Sequence, residues 1–544
     1  IFDAPTPEQL ANAIQTAKPA PNAHIIAPAG GDPFEPFPLS DVQTAYYVGR
    51  QGGGAVGDVS CFVFLALSFP GLDVAKLEAV FDELVAAHPM LRVRIDPDLT
   101  QRVLAHVPGV RIPVIDLSDE SRDAAEARWQ ELCEQLSHQV LPADRWPLFD
   151  VCAVKMPGGG FRLTLGLDLL IGDAVSLALI LHQLFGRYFE AIEPIEPPAL
   201  TFRDVMLHRE GERSGERYAK AKAYWDGRLA TLPSAPRLPL AMAPSELANT
   251  RFTRQEMRLG MAAWTRLKGE AAARGLTPTS VLAAAYATVL ATWSSDDLLI
   301  NVTVMDRKPI HPEIGAVVGD FTTVNLLAAT DARRGPFSER AGRLQRQLMA
   351  DLEHLDVSGI AVLRALAGAG AGHAPGEAHA VFTSTLGTDA VDAALRLGAA
   401  HGVTLMAVAS QTPQVMLDCQ VSEGAEGLTL SWDAPDGLHR PGVLEDMFAA
   451  YGALVTALSE GAAAWDDAAP LPLPAAQEAM IVPAGRDAPL PVERLQDGIF
   501  AVAAAAPERP ALLGLGGPED APLTFGALQG KALTLAVEVK AALA

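Results

Sequence analysis

The sequence predicts a protein of the α/β (α+β) class, because helical and strand patterns alternate along most of its 544 residues. A helix is predicted over 74–87, where apolar side chains recur every three or four residues. A second helical face runs through Trp129, Leu132, Cys133 and Leu136. The apolar runs CFVFLALSF, RLTLGLDLLI and LLINVTVM have the length of buried strands. This mixture argues against a helical bundle or a β-sandwich.

Composition and charge exclude several classes of protein. The hydrophobic content of 49% and charged content of 20% are typical of a folded globular chain. The formal charge of -23 would repel a nucleic acid or an anionic membrane, so neither is an expected partner. The longest apolar runs, such as the one ending at Trp293, are too short to span a bilayer. The N-terminal residues do not resemble a secretion signal, and a cytoplasmic location is expected.

The cysteines do not indicate a metal site or a disulfide framework. Cys61, Cys133, Cys152 and Cys419 are scattered, without CxxC spacing or a neighbouring histidine cluster. We interpret them as buried thiols of a protein in a reducing compartment.

Two aspartates flank a predicted strand-to-helix turn in the segment DLLIGDAVS. Asp173 directly precedes an apolar helix, where a carboxylate can cap the free backbone N–H groups. A purely structural role as a helix cap is therefore an alternative to a catalytic role for Asp173. Asp168 lies at the end of the preceding strand and caps no helix. Its carboxylate has a role only if it faces a cavity or pairs with a cation.

A second polar cluster occupies the segment SQTPQVMLDCQV. Strand alternation places Asp418 and Gln420 on one face and the apolar side chains, with Cys419, on the other. From periodicity alone, the face of Asp418 could equally be solvent. In the nearby segment VFTSTLG, Thr383 and Ser384 point to opposite sides of a strand, and hydroxyls in strands are usually ordinary β-formers.

The order of these segments along the chain resembles that of the heterocyclization domains of nonribosomal peptide synthetases, within the condensation-domain superfamily. The resemblance covers roughly residues 33–475. Ordinary condensation domains carry HHxxxDG, whereas Asp168 and Asp173 here form the DxxxxD pattern typical of the cyclizing branch. The matching segments are FPLSDVQTAYYVGR at 37–50, HPMLRVRI from 88, LPSAPRLPL from 232, LTPTSVLAAAYATVLATW from 276, GDFTTVNLL from 319, VFTSTLG from 381, SQTPQVMLD from 410 and SWD ending at 433.

The resemblance implies two lobes, each similar to chloramphenicol acetyltransferase, in a V-shaped pseudodimer with a central tunnel. It divides the chain into the C-terminal helix of a carrier domain with a linker (1–30), an N-terminal lobe (31–205), a C-terminal lobe (206–475), and a linker with the truncated start of an adenylation domain (476–544). The segment LTFGAL resembles an early strand and helix of an adenylation domain.

The same resemblance implies an activity: a carrier-bound acyl or peptidyl thioester is condensed with carrier-bound Cys, Ser or Thr, and the product is cyclodehydrated to a thiazoline or a (methyl)oxazoline. The implied partners are an upstream donor carrier, a downstream acceptor carrier and the adjacent adenylation domain. Substrates arrive on phosphopantetheine arms, and no metal or directly bound cofactor is expected.

Roles for individual residues also follow from the resemblance. Asp418 is expected to exchange protons during ring closure, with a pKa raised by burial, and Thr383 to orient it or relay a proton. Further catalytic positions are Asp168 and Asp173, and the substrate-binding positions are Gln414, Ser384 and Ser176.

Two other functions remain open at this point. One is a condensation-only domain, in which no ring forms. The other is a catalytically silent domain that docks carriers or recruits another protein.

Overall fold

The computed structural model describes residues 25–51, 56–57, 59–247, 250–368, 380–387, 390–469, 471–474, 477, 495–512 and 523–542. The chain divides into two compact units, Ile1–Leu471 and Pro472–Ala544. The division falls close to the domain boundary predicted after residue 475. The carrier helix predicted near the N-terminus and most of the Gly/Ala-rich segment 367–380 lie outside the described residues.

The first unit is built on two mixed sheets covered by helices, which confirms the predicted α/β class. A five-stranded sheet has the order β12-β2-β7-β6-β5, and a six-stranded sheet has the order β10-β9-β11-β13-β14-β8. A smaller three-stranded sheet has the order β1-β4-β3. The strands of this unit are β1 (Phe37–Pro38), β2 (Phe62–Phe69), β3 (Val93–Ile95), β4 (Thr100–Val103), β5 (Val114–Asp116), β6 (Phe149–Lys155), β7 (Phe161–Asp168), β8 (Phe252–Gly260), β9 (Leu298–Met305), β10 (Thr322–Ala329), β11 (Ala380–Ser384), β12 (Thr404–Gln411), β13 (Leu417–Gly424) and β14 (Gly427–Pro435).

Helices cover these sheets and bury two large apolar cores, one against each main sheet. Short 3-10 turns occur at Pro89–Arg92, Leu229–Thr231, Pro244–Glu246 and Ile314–Ala316. The helices of the first unit are α1 (Asp41–Gly49), α2 (Val74–Ala87), α3 (Arg122–Ser137), α4 (Ala174–Tyr188), α5 (Phe202–Glu212), α6 (Glu216–Arg228), α7 (Met261–Ala273), α8 (Pro278–Thr292), α9 (Phe337–Leu352), α10 (Gly359–Gly368), α11 (Ala390–Ala399), α12 (Val443–Glu460) and α13 (Ala463–Asp466).

Local sequence explains where several helices begin. The side chain of Ser40 accepts from the backbone N–H of Gln43, and the Gln43 side chain accepts in return from the backbone N–H of Ser40. This reciprocal pair satisfies two donors at the start of α1. Thr277 caps α8, and Pro278 occupies its first turn, where no backbone N–H is required. The predicted helix over 74–87 is confirmed with the same bounds in α2.

The range 206–475 predicted for the C-terminal lobe contains a segment that packs with the first lobe. Strand β12 belongs by position to the predicted C-terminal lobe, but it pairs antiparallel with β2 at the edge of the five-stranded sheet. Just before it, Ala394 on α11 and Val403 are buried in the core against that same sheet. Residues 390–411 therefore complete the first lobe, and the chain returns to the second lobe at β13.

The second unit contains α14 (Leu495–Ala505), β15 (Pro510–Leu512), β16 (Leu523–Thr524) and α15 (Phe525–Ala542). Strands β15 and β16 pair antiparallel. The segment LTFGAL forms β16 and the first turn of α15, which is the predicted strand-then-helix order.

Within the described residues, no single helix is both long and apolar enough to cross a membrane; α7 and α8 would qualify only together, with a bend of 96° between them. The apolar run that ends at Trp293 is α8, which is buried along almost its whole length.

Candidate active site

A cavity of about 460 Å³ lies between the two main sheets, with α1 and α10 forming part of its wall. Side chains of β9, β11 and β13 enter it from the six-stranded sheet, and side chains of β12 enter it from the five-stranded sheet. Of the residues predicted as site residues, Asp173, Thr383, Gln414 and Asp418 line this cavity.

Asp418 reaches the cavity from β13, and only 8% of the residue is exposed. The periodicity of the strand left open whether this face meets solvent, and the cavity answers that question. The Thr383 hydroxyl donates to Oδ1 of Asp418 at 3.4 Å. The side-chain amide of Gln420 donates to Oδ2 at 2.8 Å. Both carboxylate oxygens therefore have a donor from the protein.

The register of three strands brings these side chains together. Strand β11 runs parallel to β13, with Thr383 beside Gln420, and parallel to β9, with Thr383 beside Thr303. The two threonine hydroxyls are 2.9 Å apart. Thr383 lines the cavity together with Val381 and Thr385, as expected for alternate residues on one face of a strand.

Burial and, to a smaller extent, the nearby charge of Asp433 raise the pKa of Asp418, the hydrogen bond from Gln420 opposes them, and the resulting pKa is about 7. A carboxylic acid with such a pKa exists in both protonation states near neutral pH. The direction of the pKa shift agrees with the expected effect of burial, and the role of Asp418 in ring closure stays a prediction.

The raised pKa predicts how Asp418 affects stability. Between pH 4 and pH 7, approximately, the folded protein holds a proton on Asp418 that the unfolded chain has lost, so the free energy of unfolding falls as pH rises through this window. Asp418→Asn removes that titration, because an amide does not ionise. From pH 5 to pH 8, the free energy of unfolding of the variant should therefore rise relative to that of the parent, by an amount on the order of 3 kcal/mol. Urea unfolding at both pH values measures this, and a constant difference would contradict it.

The two aspartates of the DxxxxD pattern are held in buried ion pairs. One guanidinium nitrogen of Arg50 donates to both oxygens of Asp168, at 2.8 and 2.7 Å, and the backbone N–H of Leu170 adds a third bond at 3.0 Å. The Asp168 side chain is fully buried and that of Arg50 is 5% exposed. Asp168 thus has the cationic partner that the sequence left open, and this geometry favours a structural role over a catalytic one.

Asp173 caps α4, as its position before the helix predicts. Its carboxylate accepts from the backbone N–H of Ser176 at 2.7 Å and from Arg307 at 2.8 Å. The Ser176 hydroxyl donates to the same carboxylate at 2.8 Å and accepts from the backbone N–H of Gly319 at 3.0 Å. Ser176 is fully buried. These contacts join α4 to the loop before β10 and account for both residues structurally, so they do not support substrate binding by Ser176.

Gln414 and Ser384 differ in their position relative to the cavity. Gln414 adopts the left-handed conformation, with φ of 64°, and both its backbone and its side-chain N–H groups donate to the carbonyl of Val56 at 3.1 Å. This turn holds Gln414 at the cavity wall. The Ser384 hydroxyl lies 3.2 Å from that of Thr279 on α8, on the opposite face of β11 from Thr383. Strand alternation therefore turns Ser384 away from the position expected of a substrate-binding residue.

Sequence reasoning did not single out Arg254, Asp433 or Ser410, which complete the surroundings of Asp418. Arg254 and Asp433 form an ion pair with an N–O distance of 2.6 Å, and the Ser410 hydroxyl donates to Asp433 at 2.8 Å. Periodicity placed Gln420 beside Asp418 but assigned it no role. Arg254 precedes Asp418 by more than 160 positions, and only sheet pairing brings the two together.

The described residues hold no group of three or more histidine, cysteine, aspartate or glutamate side chains arranged to bind a metal ion. The four cysteines are free. Cys61, Cys152 and Cys419 are buried as predicted, whereas Cys133 is only partly buried.

The family model of the condensation domain matches residues 37–362, which span most of both lobes. The chain belongs to the condensation domain family. Pyochelin synthetase PchE of Pseudomonas aeruginosa is 38% identical over 519 residues, covering 94% of this chain and 35% of the relative. Phenyloxazoline synthase MbtB of Mycobacterium tuberculosis is 33% identical over 521 residues, covering 93% of this chain and 35% of the relative. The chain therefore spans about a third of the length of these curated relatives.

A solved structure supports the same relationship at the level of the fold. The cyclization-docking bidomain of the nonribosomal peptide synthetase EpoB from Sorangium cellulosum superimposes with a TM-score of 0.75 and 34% identity. The match covers 85% of this chain and 93% of the bidomain. This condensation-family domain thus has the fold of a cyclization domain, and the predicted family is confirmed.

Proposed function

We propose that this condensation-family domain is a heterocyclization domain, which joins two carrier-bound substrates and then closes a five-membered ring. The observation that carries this proposal is the placement of Asp418, a carboxyl with a pKa of about 7, beside Thr383 in the cavity between the sheets. The similarity to a cyclization domain in EpoB and to a phenyloxazoline synthase supports it.

The first step is formation of an amide. The amine of a carrier-bound Cys, Ser or Thr attacks the thioester carbonyl of the donor, the C–N bond forms, and the donor carrier leaves as a thiol. An aminolysis of this kind gains most from holding the two reactants together, which a shared cavity does without a strong base. Asp168, being held by Arg50 in a buried ion pair, is not required as a proton acceptor in this step.

The second step closes the ring and needs proton transfer. The side-chain thiol or hydroxyl attacks the new amide carbonyl, and its proton ends on the former carbonyl oxygen. Protonated Asp418 then donates to that hydroxyl, the C–O bond breaks and water leaves. The ring nitrogen returns its proton to Asp418 as the C=N bond forms, so the carboxyl is regenerated. General acid–base catalysis of this kind contributes typically 10²–10⁴-fold in rate.

The lining of the cavity is largely apolar. Its aliphatic side chains include Val42, Val63, Leu169 and Val408, from α1, β2, the end of β7 and β12. Burial of an apolar or aromatic acyl group against such a surface would be favourable, and would also exclude water from the reacting carbonyl. We propose a donor acyl group of this type.

The partners proposed are an upstream donor carrier and a downstream acceptor carrier, each delivering its substrate on a phosphopantetheine arm, with an adenylation domain adjacent in the chain. The location proposed is the cytoplasm, in agreement with the four free cysteines.

Reconstitution tests this function. The protein is mixed with a donor carrier loaded with an aryl acyl group and an acceptor carrier loaded with Cys, Ser or Thr, and the acceptor carrier is analysed by intact mass spectrometry. We expect the condensed product with a further loss of about 18 Da, the mass of water. A condensed product without that loss would show a condensation-only domain. Carrier binding without any new product would show a silent docking domain, and either result would refute ring formation.

A further inference from the structure

Three side chains form a row across neighbouring strands of the six-stranded sheet. Asp418 on β13 lies directly opposite Asp433 on β14, and Asp433 lies directly opposite Arg254 on β8. Residues opposite each other in an antiparallel pair project from the same face. The row therefore runs from the proposed acid–base residue to an arginine two strands away, with an aspartate between them.

Arg254 binds both carboxylate oxygens of Asp433 through one edge of its guanidinium. Its Nε donates to Oδ1 at 2.8 Å and one terminal nitrogen donates to Oδ2 at 2.6 Å, which is the bidentate geometry of a strong charge-assisted pair. The same terminal nitrogen lies 3.1 Å from Oε1 of Gln420 and 3.2 Å from the hydroxyl of Ser410 on β12. Arg254 thus contacts side chains from both main sheets.

These contacts determine which way the Gln420 amide points. Because a guanidinium has only donors, the carbonyl oxygen Oε1 must face Arg254. The amide nitrogen then faces oxygen acceptors: Oδ2 of Asp418 at 2.8 Å, the Ser410 hydroxyl at 3.0 Å and Oδ2 of Asp433 at 3.1 Å. A flipped amide would place an NH₂ group against Arg254 and an oxygen against the Asp418 carboxylate, and both contacts would be repulsive.

The orientation of Gln420 makes the two oxygens of Asp418 unequal. Oδ2 accepts a hydrogen bond from Gln420, so a proton on Oδ2 would face another donor. Oδ1 faces the Thr383 hydroxyl at 3.4 Å, and that hydroxyl can rotate to accept as well as donate. A proton on Asp418 is therefore best placed on Oδ1, on the side of Thr383.

We propose that Arg254 is a positioning residue for ring closure: by orienting the Gln420 amide, it keeps the transferable proton of Asp418 on Oδ1, next to Thr383. This inference rests on the proposed heterocyclization function. Arg254 does so without a direct hydrogen bond to Asp418, because its own charge is balanced by Asp433. A direct ion pair would instead favour the ionised carboxylate and remove the proton that the dehydration step requires.

A purely structural role for the row makes a different prediction. If Arg254 and Asp433 served only to join β8, β14 and β12, their loss would lower stability and would also lower the pKa of Asp418, because the charge of Asp433 raises that pKa more than the charge of Arg254 lowers it. In the positioning role, loss of the Gln420 amide raises the pKa of Asp418, because the hydrogen bond from Gln420 lowers it. The pH dependence of ring closure separates the two roles.

The test compares Gln420→Met with the double variant Arg254→Met/Asp433→Asn, which removes the arginine without leaving a buried carboxylate unpaired. We expect each to slow ring closure by about tenfold or more, the usual effect of losing one hydrogen bond to a charged group, with accumulation of linear condensed product. In Gln420→Met the pH profile of ring closure should also move to higher pH. Arg254→Lys keeps the charge and a donor, so ring closure in this variant should be faster than in Arg254→Met/Asp433→Asn.

A matched control is Arg187→Met, because Arg187 also binds a carboxylate through two contacts, at 3.0 and 2.9 Å from Glu83, but outside the cavity lining. This control should lower stability without moving the pH profile. The titration of Asp418 is followed in parallel by ¹³C NMR of labelled carboxyl groups, with Asp418→Asn identifying the signal. An unchanged Asp418 titration in Gln420→Met would overturn the inference whether or not a ring forms. Absence of a ring from the parent protein would instead refute the proposed function.

Discussion

Asp418→Asn is expected to abolish ring closure while the linear condensed product still accumulates. The amide keeps the size of the side chain and can still accept from Gln420, so the fold and the cavity should persist. It cannot give up a proton to the departing oxygen, and the loss of general acid–base catalysis should slow ring closure by at least about 100-fold. Intact mass spectrometry of the acceptor carrier measures both products in one experiment, because they differ by one water.

Asp150→Asn provides a matched control for this variant. Asp150 is a partly buried aspartate on β6, whose pKa is also raised by burial, but it does not line the cavity. Both condensation and ring closure should persist in that variant. Normal loss of water from the product of Asp418→Asn would remove Asp418 from the mechanism, whatever its position in the cavity.

Asp168→Ala should produce the largest loss of stability. Removal of the carboxylate leaves the Arg50 guanidinium buried without its counter-ion, since only 5% of that side chain is exposed. Breaking a buried ion pair from one side typically costs about 3–5 kcal/mol. We expect a lower Tm and a smaller yield of folded protein, with condensation and ring closure reduced together. Differential scanning calorimetry and the carrier assay measure these effects.

The double variant Asp168→Leu/Arg50→Met separates the charge from the packing. Replacing both partners by apolar side chains removes the unpaired charge, so most of the lost stability should return. At the exposed pair of Lys76 and Glu190, Glu190→Ala should change the Tm little, because solvent screens that interaction. A soluble Asp168→Ala protein with full stability and both activities intact would show that the buried pair is dispensable.

The local patterns of the sequence were sufficient to predict much of the secondary structure. Apolar spacing predicted α2 with its observed bounds, and Asp173 was predicted as the cap of the helix that follows it. Alternation in β13 correctly separated Asp418 from the buried Leu417 and Cys419. These features depend on neighbours within a few positions along the chain, and such neighbours are visible in the sequence itself.

The sequence of motifs was also sufficient to predict the family, but it could not predict what faces Asp418. Periodicity allowed solvent on that face, whereas β12, whose residues cross to the other sheet, helps to enclose a cavity there. For the same reason, Ser384 and Ser176 carried predicted roles that their positions do not support, since they lie against α8 and the loop before β10.

What the sequence by itself determined is the α/β class, the family and the identity of the carboxyl that we place at the centre of the chemistry. Only the tertiary structure decided that Asp168 pairs with Arg50, and that Gln420 contacts both Arg254 and Asp418. The physical reason is distance along the chain. Hydrogen bonds and ion pairs between side chains depend on separations of about 3 Å in space, and strand pairing brings together residues whose separation in sequence carries no periodic signal.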